Sequence, residues 1–272
     1  MDKPNEASRW DHSSHESFFE YYEEQSLAQH TLARFDAIQK AVLCSLSPGR
    51  QNERLTVADI GCGAGTQAIL WAELGHEVKG LDVNAPLLEL ARKRMAERGL
   101  SAQFEVGSAT ELPWPDQSMD IVLAPELLEH VGPWRQCLDE FDRILKPDGI
   151  LYISTSNKLC PVQQEFNFPL YSWYPGFLKR HYERLAVTTR PEIAGYAQYP
   201  AVNWFSFFSL RRYLKPRGFA CRDRFDMLGL GNDTLKTRAA KLLISCVPGL
   251  RFVAHMTTPY TVIVARKLPA PS

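Results

Sequence analysis

The feature that most constrains the fold is a short apolar run followed by three closely spaced glycines. Residues 55–60 are rich in β-branched and apolar side chains and predict a β-strand. Gly61, Gly63 and Gly65 follow at once, and residues 66–74 have the apolar spacing of a helix. A glycine-lined turn between a strand and a helix lets the backbone approach a ligand closely. The stretch therefore predicts an α/β fold with a binding loop.

Strands and helices alternate regularly along much of the chain. This alternation predicts right-handed crossovers and a mostly parallel sheet that is covered by helices on both faces. The exception is the stretch of residues 156–208, which is loop-like and holds 13 of the chain's 30 Trp, Tyr and Phe residues. The predicted strands cover residues 55–60, 78–82, 104–106, 119–123, 150–154, 219–225 and 260–265, and the predicted helices cover residues 16–44, 66–74, 85–98, 133–145, 206–214 and 235–246.

The spacing of the glycines distinguishes two kinds of ligand. A dinucleotide fingerprint is G-x-G-x-x-G, whose last glycine lets a helix N-terminus approach a pyrophosphate. Here the spacing is G-x-G-x-G, and Asp59 lies two residues before the first glycine. S-adenosylmethionine has no phosphate but carries an ammonium, a carboxylate and a sulfonium cation, so a carboxylate beside the loop suits it. Asp82, at the end of the second predicted strand, is placed to accept hydrogen bonds from ribose hydroxyls.

Together, residues 55–155 resemble the core of the class I S-adenosylmethionine-dependent methyltransferases, and most closely the small-molecule type of the ubiquinone pathway. The resemblance implies a Rossmann-like three-layer sandwich with a mostly parallel seven-stranded sheet, whose last strand, residues 260–265, is antiparallel. Many relatives place an acid at the position of Ser108 to contact the adenine amine, so the Ser108 hydroxyl or the Ala109 backbone would substitute here. The residues expected to bind the cofactor are Asp59, Gly61, Cys62, Gly63, Gly65, Asp82, Val83, Ser108, Ala109 and Pro125.

Three polar residues after the fourth predicted strand are candidates for the chemistry at the acceptor. Glu126, Glu129 and His130 stand at i, i+3 and i+4, so a helix would project all three to one side. The pattern resembles that of the polyphenol methyltransferases of ubiquinone synthesis and of the small-RNA terminal methyltransferases, which bind magnesium-type ions there. By this resemblance the three residues would bind Mg²⁺, with His181 or Glu165 as a further ligand.

His130 and Glu129 are the predicted catalytic residues. By the same resemblance, a metal chelated by two neighbouring hydroxyls would lower the pKa of one of them, and His130 would take its proton. These residues also have a second interpretation without a metal. In many members of the family, however, a Glu-His pair at this point implies no metal. There the glutamate closes a cap and the histidine packs beneath the cofactor.

Charge balance and cysteine spacing indicate the class of partner and the compartment. The chain has 31 basic and 31 acidic side chains, which gives no electrostatic argument for a nucleic-acid partner. No apolar run suits a signal peptide or a bilayer span, and the six cysteines are scattered, so we expect a cytoplasmic protein. Residues 204–212 and 241–246 are basic and apolar, which suits peripheral membrane contact or burial; burial is the preferred interpretation.

These patterns predict a single methyltransferase domain over residues 1–272, with a helical cap at 8–45 and a substrate-covering insertion at 156–205. The aromatic insertion suits a ring, a sugar face or an isoprenoid tail, although a second hydrophobic cluster would explain it equally. The expected reaction is methyl transfer to a small molecule, preferably to a hydroxyl of a phenolic ring or saccharide, with a lipid-linked acceptor as one version. The alternatives are a methyltransferase of RNA or protein and a non-catalytic cofactor-binding subunit. The sequence leaves the acceptor's identity and the oligomeric state open.

Overall fold

The structure is a computed structural model that describes residues 25–163, 165–194, 201–229 and 234–269. Its strands are β1 (Thr56–Ile60), β2 (Glu77–Asp82), β3 (Gln103–Val106), β4 (Met119–Pro125), β5 (Leu145–Ser156), β6 (Phe219–Asp223) and β7 (Tyr260–Lys267). Its α-helices are α1 (Gln29–Leu43), α2 (Thr66–Glu73), α3 (Ala85–Glu97), α4 (Trp134–Ile144), α5 (Gly176–Thr188), α6 (Phe207–Leu214), α7 (Leu235–Cys246) and α8 (Leu250–Met256). Short 3₁₀ helices lie at Arg50–Asn52, Tyr171–Trp173, Pro191–Ile193 and Lys215–Arg217.

The seven strands in the described residues form one sheet in the order β3-β2-β1-β4-β5-β7-β6. β1 pairs in parallel with β2 on one side and β4 on the other, while the C-terminal strands pair antiparallel. The last four residues of β1 are all buried, as expected for a parallel strand that is covered on both faces. The strand order reverses between β1 and β4, and open α/β sheets bind ligands beyond the strands' carboxyl ends at such a point. The sheet order therefore places a candidate ligand site after β1.

The chain forms two compact units. Within the described residues, the first unit comprises residues 25–125, 133–152 and 264–269, and the second comprises 126–132 and 153–263. Each has its own apolar interior, and full burial of one large side chain contributes roughly 1.5–3 kcal/mol. Trp71, Leu88, Met119 and Phe141 are among the largest fully buried side chains of the first unit, and Leu128, Tyr171 and Phe219 are those of the second.

The predicted fold class is confirmed, and the predicted strands and helices recur with shifted ends. The stretch predicted as loop-like, residues 156–208, instead contains the 13-residue helix α5. Its apolar residues Leu178, Tyr182 and Leu185 recur every three or four positions, a helical spacing that the many aromatic residues obscured. Helix α8 is a further element that was not predicted. Of the predicted N-terminal cap, residues 8–24 lie outside the described residues, and the rest contains α1.

The two basic and apolar stretches differ in their burial. For residues 204–212 the burial interpretation is confirmed, because Phe205, Phe207 and Leu210 are buried. For residues 241–246 it is wrong, because no residue of α7 is buried. In the part of the chain that the structure describes, no single helix is long and apolar enough to cross a bilayer. Within the described residues, α7 and α8 taken together have the length and composition of a membrane span, but the two helices are bent by 115° relative to each other.

Candidate functional site

The loop after β1 has left-handed backbone at each of its three glycines. Gly61, Gly63 and Gly65 have φ angles of +72°, +49° and +76°, in the left-handed region that other residues rarely adopt. A Cβ atom on Gly65 would also lie 2.7 Å from the Cβ atom of Ala91 on α3. The amides of Gly61 and Cys62 both donate to the Leu81 carbonyl, which fixes the loop against β2. The three glycines therefore allow the loop to adopt its left-handed backbone conformation.

Asp82 holds this loop from the end of β2. Its Oδ2 accepts a hydrogen bond from the Gly63 amide at 2.8 Å, and its Oδ1 accepts one from the Asn84 amide at 2.9 Å. Burial raises the pKa of Asp82, and the backbone hydrogen bonds oppose that rise. Because each carboxylate oxygen has two lone pairs, both oxygens keep capacity for a further donor. The expected ribose contact is compatible with this second, structural role.

Asp59 is the unusual residue of the first unit. Its side chain is 1% exposed, and neither carboxyl oxygen has a hydrogen-bond partner. Burial raises its pKa to about 7, and the charge of Asp82 adds to the rise. A buried polar group without a partner is costly, so a cation bound beside Asp59 would restore what the fold leaves unsatisfied. The residues present therefore fit a ligand with an ammonium group, such as S-adenosylmethionine.

The other predicted cofactor residues follow the carboxyl ends of neighbouring strands. Val83 comes directly after β2, Ser108 and Ala109 come shortly after β3, and Pro125 ends β4. The Ser108 hydroxyl lies 2.7 Å from the Thr110 hydroxyl, so it is already hydrogen-bonded. A Cβ atom on Gly80 of β2 would lie 2.8 Å from the Cys62 sulfur, which shows that the Cys62 side chain packs against the sheet. The part of Cys62 that faces a ligand in the loop is therefore its backbone.

In the second unit, the Glu126–His130 segment forms turns, so the helix that would project the three side chains to one side is not present. Glu126 adopts a φ of +53°, which no residue in an α-helix has, and its amide donates to the Ser154 carbonyl at 2.8 Å. The spacing i, i+3 and i+4 therefore does not place Glu126, Glu129 and His130 on one helical face. The physical reason is that strand β4 leads into a left-handed turn.

Burial alters the protonation of the two predicted catalytic residues. Glu129 is 1% exposed with no hydrogen-bond partner for Oε2, and burial raises its pKa to about 8. Burial lowers the pKa of His130 to about 4, while the charge of Glu126 opposes that shift. At pH 7 the imidazole is neutral and able to accept a proton, whereas Glu129 is mostly protonated. The pair thus offers one proton acceptor and one proton donor.

The predicted metal ligands do not fit a magnesium site. His181 lies on α5, where its side chain is exposed and its ring packs edge-on against Tyr182. Glu165 accepts hydrogen bonds from the Ser156 hydroxyl and the Ala201 amide. Across residues 25–163, 165–194, 201–229 and 234–269, no three His, Cys, Asp or Glu side chains are grouped to hold a metal ion.

Asn203 is a residue of this site that the sequence did not reveal. Its Nδ2 donates to the carbonyls of Leu128 and Val131 at 3.0 and 2.7 Å. The amides of Val202 and Asn203 both donate to the Glu129 carbonyl. Four hydrogen bonds thus fix the turn that carries Glu129 and His130. Because the partners are more than 70 positions apart, no local pattern could have indicated them.

The aromatic residues of the insertion form a cluster with a pocket beside it. In the cluster, Phe166 and Tyr171 stack with ring centroids 4.1 Å apart. The pocket has a volume of about 450 Å³ and is lined by Lys158, Leu159, Ser172, Trp173, Tyr174, Gly176, Lys179 and Trp204. The buried Lys179 ammonium lies 4.3 Å from the Trp204 ring and donates to the Ser172 carbonyl. Burial and the charge of Lys158 lower the pKa of Lys179 to about 8.

Comparisons with known proteins indicate the family of this chain. Residues 58–153 match a family described as a methyltransferase domain. The chain is 32% identical over 188 residues to a demethylmenaquinone methyltransferase of Listeria monocytogenes serotype 4a, across 65% of this chain and 79% of that relative. It is 34% identical over 106 residues to a ubiquinone biosynthesis O-methyltransferase of Chelativorans sp. (strain BNC1), across 39% of this chain. That second match spans 42%, less than half, of the relative's length.

A solved structure shows the same fold. An S-adenosylmethionine-dependent methyltransferase from Mesorhizobium loti superposes with a TM-score of 0.55 over 85% of this chain and 99% of that chain. The two sequences are 19% identical, so the likeness concerns the arrangement of strands and helices.

Proposed function

Because this chain belongs to the class I S-adenosylmethionine-dependent methyltransferases of the small-molecule type, we propose that it transfers a methyl group from this cofactor to a hydroxyl oxygen of a small molecule. The observation that carries the proposal is the Asp59 carboxyl, which is buried without a partner beside a loop of left-handed glycines. Such a carboxyl suits the ammonium of the cofactor. When bound, the cofactor supplies a methyl carbon that is activated by its sulfonium leaving group.

The residues of the first unit would bind and orient the cofactor. Asp59 would accept hydrogen bonds from the ammonium group, and Asp82 would accept them from the ribose hydroxyls while it holds Gly63. Ser108 and Ala109 would contact the adenine edge. Positioning of this kind is the main contribution of the protein, because in-line displacement depends on alignment of the reacting atoms.

His130 would receive the proton that the acceptor hydroxyl loses. Its low pKa keeps the imidazole neutral at pH 7, but it also makes His130 a weak base. A weak base takes up the proton as the oxygen–carbon bond forms, when the hydroxyl has become strongly acidic. Glu129 in its protonated form would donate a hydrogen bond to a neighbouring oxygen of the acceptor.

The pocket of the insertion supports a hydroxylated ring as the acceptor. Trp173, Tyr174 and Trp204 supply aromatic surfaces on which a ring or a sugar face stacks. Lys158 and Lys179 at the same pocket suit an acidic substituent on that ring, since an anion would relieve the repulsion between the two ammonium groups. A cytoplasmic location and the absence of a nucleic-acid partner remain predictions of the sequence.

The test combines cofactor binding with a screen of acceptors. Calorimetry should show binding of S-adenosylmethionine, and labelled cofactor should transfer its methyl group to phenolic, catecholic or saccharide hydroxyls. No binding would contradict the whole proposal. Binding without transfer to any small molecule would favour the alternatives, a macromolecular substrate or a non-catalytic subunit. Activity that disappears with a chelator and returns with Mg²⁺ would restore the metal hypothesis.

Replacement of His130 tests the proposed proton acceptor. His130→Ala should lower kcat by about 10²- to 10⁴-fold, the usual contribution of a general base, with cofactor affinity retained. His181→Ala is the matched control, because His181 is an exposed histidine of the same unit, and its activity should stay unchanged. Wild-type kcat in His130→Ala would show that the proton leaves by another route.

A further inference from the structure

Helices α7 and α8 expose an unusual amount of apolar surface. Leu235, Leu242 and Leu243 on α7 are 84%, 65% and 56% exposed, and Phe252 and Val253 on α8 are 46% and 53% exposed. Single exposed apolar side chains are ordinary, whereas a continuous group marks an interaction surface. Together with Val247 in the connection, these six residues form what we term the hairpin surface.

The charge of the hairpin surface has a single sign. From Thr234 to the last residue the sequence contains no Asp or Glu. Lys236, Arg238 and Lys241 are exposed on α7 among the leucines. Apolar side chains with interspersed Lys and Arg, and no carboxylates, are the pattern of helices that lie in the interface of an anionic membrane.

The hairpin is firmly attached to the second unit by its other side. Asp223, at the end of β6, is fully buried and binds both Arg251 and His255 of α8 at 2.8 Å. The His255 ring stacks on Phe207 with centroids 5.4 Å apart. Helix α7 has no buried residue, but its Lys241 Nζ donates to the Asp226 carbonyl at 2.8 Å. The exposed apolar side chains therefore lie on a helix pair that is held to the second unit mainly through α8.

We propose that the hairpin surface docks on the surface of an anionic lipid bilayer. The alternative occupant, a second copy of this chain, would bring two basic surfaces together, which costs free energy. Anionic headgroups instead complement Lys236 and Lys241, while the leucines enter the acyl boundary. With 12 and 7 residues, α7 and α8 are each too short to cross a bilayer and would lie in its interface. The surface does not depend on which acceptor is methylated.

The test is cosedimentation of the full chain with vesicles. The protein should pellet with vesicles of phosphatidylcholine and phosphatidylglycerol, and added salt or omission of phosphatidylglycerol should weaken pelleting. Leu242→Asp/Leu243→Asp should lower the partition coefficient by about tenfold or more. The control Leu74→Asp, at a 53% exposed leucine of the first unit, should leave it unchanged.

Two further measurements keep the outcomes distinct. Unchanged calorimetric affinity for S-adenosylmethionine and an unchanged circular dichroism spectrum would show that the double variant folds. Wild-type protein that stays in the supernatant with anionic vesicles would overturn the proposal, as would equal pelleting of the double variant. A dimer in light scattering that Leu242→Asp/Leu243→Asp dissociates, without vesicle binding, would assign the surface to self-association instead.

Discussion

Asp59 combines complete burial with two carboxyl oxygens that lack partners. A carboxyl with a pKa of about 7 is partly protonated under physiological conditions. An ammonium group beside it would favour the ionised form and lower its pKa, so cofactor binding would release a proton. At the scale of residues, the binding of the cofactor should therefore depend on pH.

We predict that affinity for S-adenosylmethionine rises with pH, by up to about tenfold per unit below pH 7, and levels off near pH 7.5. Asp59→Asn should abolish this slope and weaken binding at pH 7.5 by roughly 10- to 150-fold, as expected for loss of a hydrogen bond to a charged group. Calorimetry in buffers of different ionisation enthalpy measures both affinity and proton release. Glu97→Gln, at an exposed position on α3, is the control, and a pH slope that persists in Asp59→Asn would contradict the assignment.

Gly65 tests a steric requirement at the same loop. In Gly65→Ala the alanine would have to adopt a left-handed backbone, and its Cβ would lie 2.7 Å from the Cβ atom of Ala91. Both thermal stability and cofactor affinity should therefore fall. Gly99→Ala shares the left-handed backbone, with φ of +64°, but its Cβ meets open space. Its loss should be limited to the backbone strain of about 1–2 kcal/mol. Equal losses in the two variants would show that the contact with Ala91 does not matter.

At the scale of elements, the turn between β4 and α4 depends on a distant partner. Asn203 donates to two of its carbonyls, and each such hydrogen bond is worth about 0.5–1.5 kcal/mol. We therefore propose Asn203 as a positioning residue for Glu129 and His130.

We predict that Asn203→Ala lowers kcat and raises the KM for the acceptor, with cofactor affinity unchanged. Steady-state kinetics and calorimetry separate the two effects. Asn167→Ala is the matched control, because Asn167 is exposed and its Nδ2 donates to a single carbonyl, that of Glu192. If Asn203→Ala and Asn167→Ala have the same kcat and KM, Asn203 does not position Glu129 and His130.

At the scale of the whole molecule, two buried carboxyls contribute to the pH dependence of stability, with a sign opposite to that of His130 and Lys179, whose pKa values are lowered. The folded-state pKa values of Asp59 and Glu129, about 7 and about 8, lie above the ordinary values of 3.8 and 4.5. Through these two carboxyls the folded protein therefore binds more protons than the unfolded chain between these limits. The free energy of unfolding that these two carboxyls contribute is therefore fully present below about pH 4 and is lost as the pH rises through 7 to 8.

We predict that the cofactor-free protein melts at a lower temperature at pH 8.5 than at pH 6. Asp59→Asn/Glu129→Gln should flatten the dependence over this range, because neither amide titrates. Thermal unfolding followed by circular dichroism in buffers of equal ionic strength provides the measurement. A melting temperature that rises from pH 6 to 8.5 would contradict the buried, protonated state of both groups.

The elements that could be predicted from sequence are those specified by neighbouring residues. β-branched runs, helical spacing and the glycine turn after β1 are patterns of a few neighbouring residues. The strands of the sheet and the binding loop were therefore predicted at the correct places in the chain, with errors only in where the strands begin and end. The same local spacing was present in α5 but was obscured by aromatic side chains that belong to a cluster. The cofactor family was likewise recognisable, because Asp59, Gly61 and Asp82 stand at characteristic positions.

The sequence by itself thus determined the order of the strands along the chain, the glycine loop and the class of cofactor. Tertiary structure alone decided that Asp59 and Glu129 are buried without full pairing, that Glu126 begins a left-handed turn, and that α7 exposes its leucines. The reason is physical. Burial and hydrogen bonding depend on residues far apart in the chain, as the contact between Asn203 and Leu128 shows, whereas periodicity records only which face of an element is apolar.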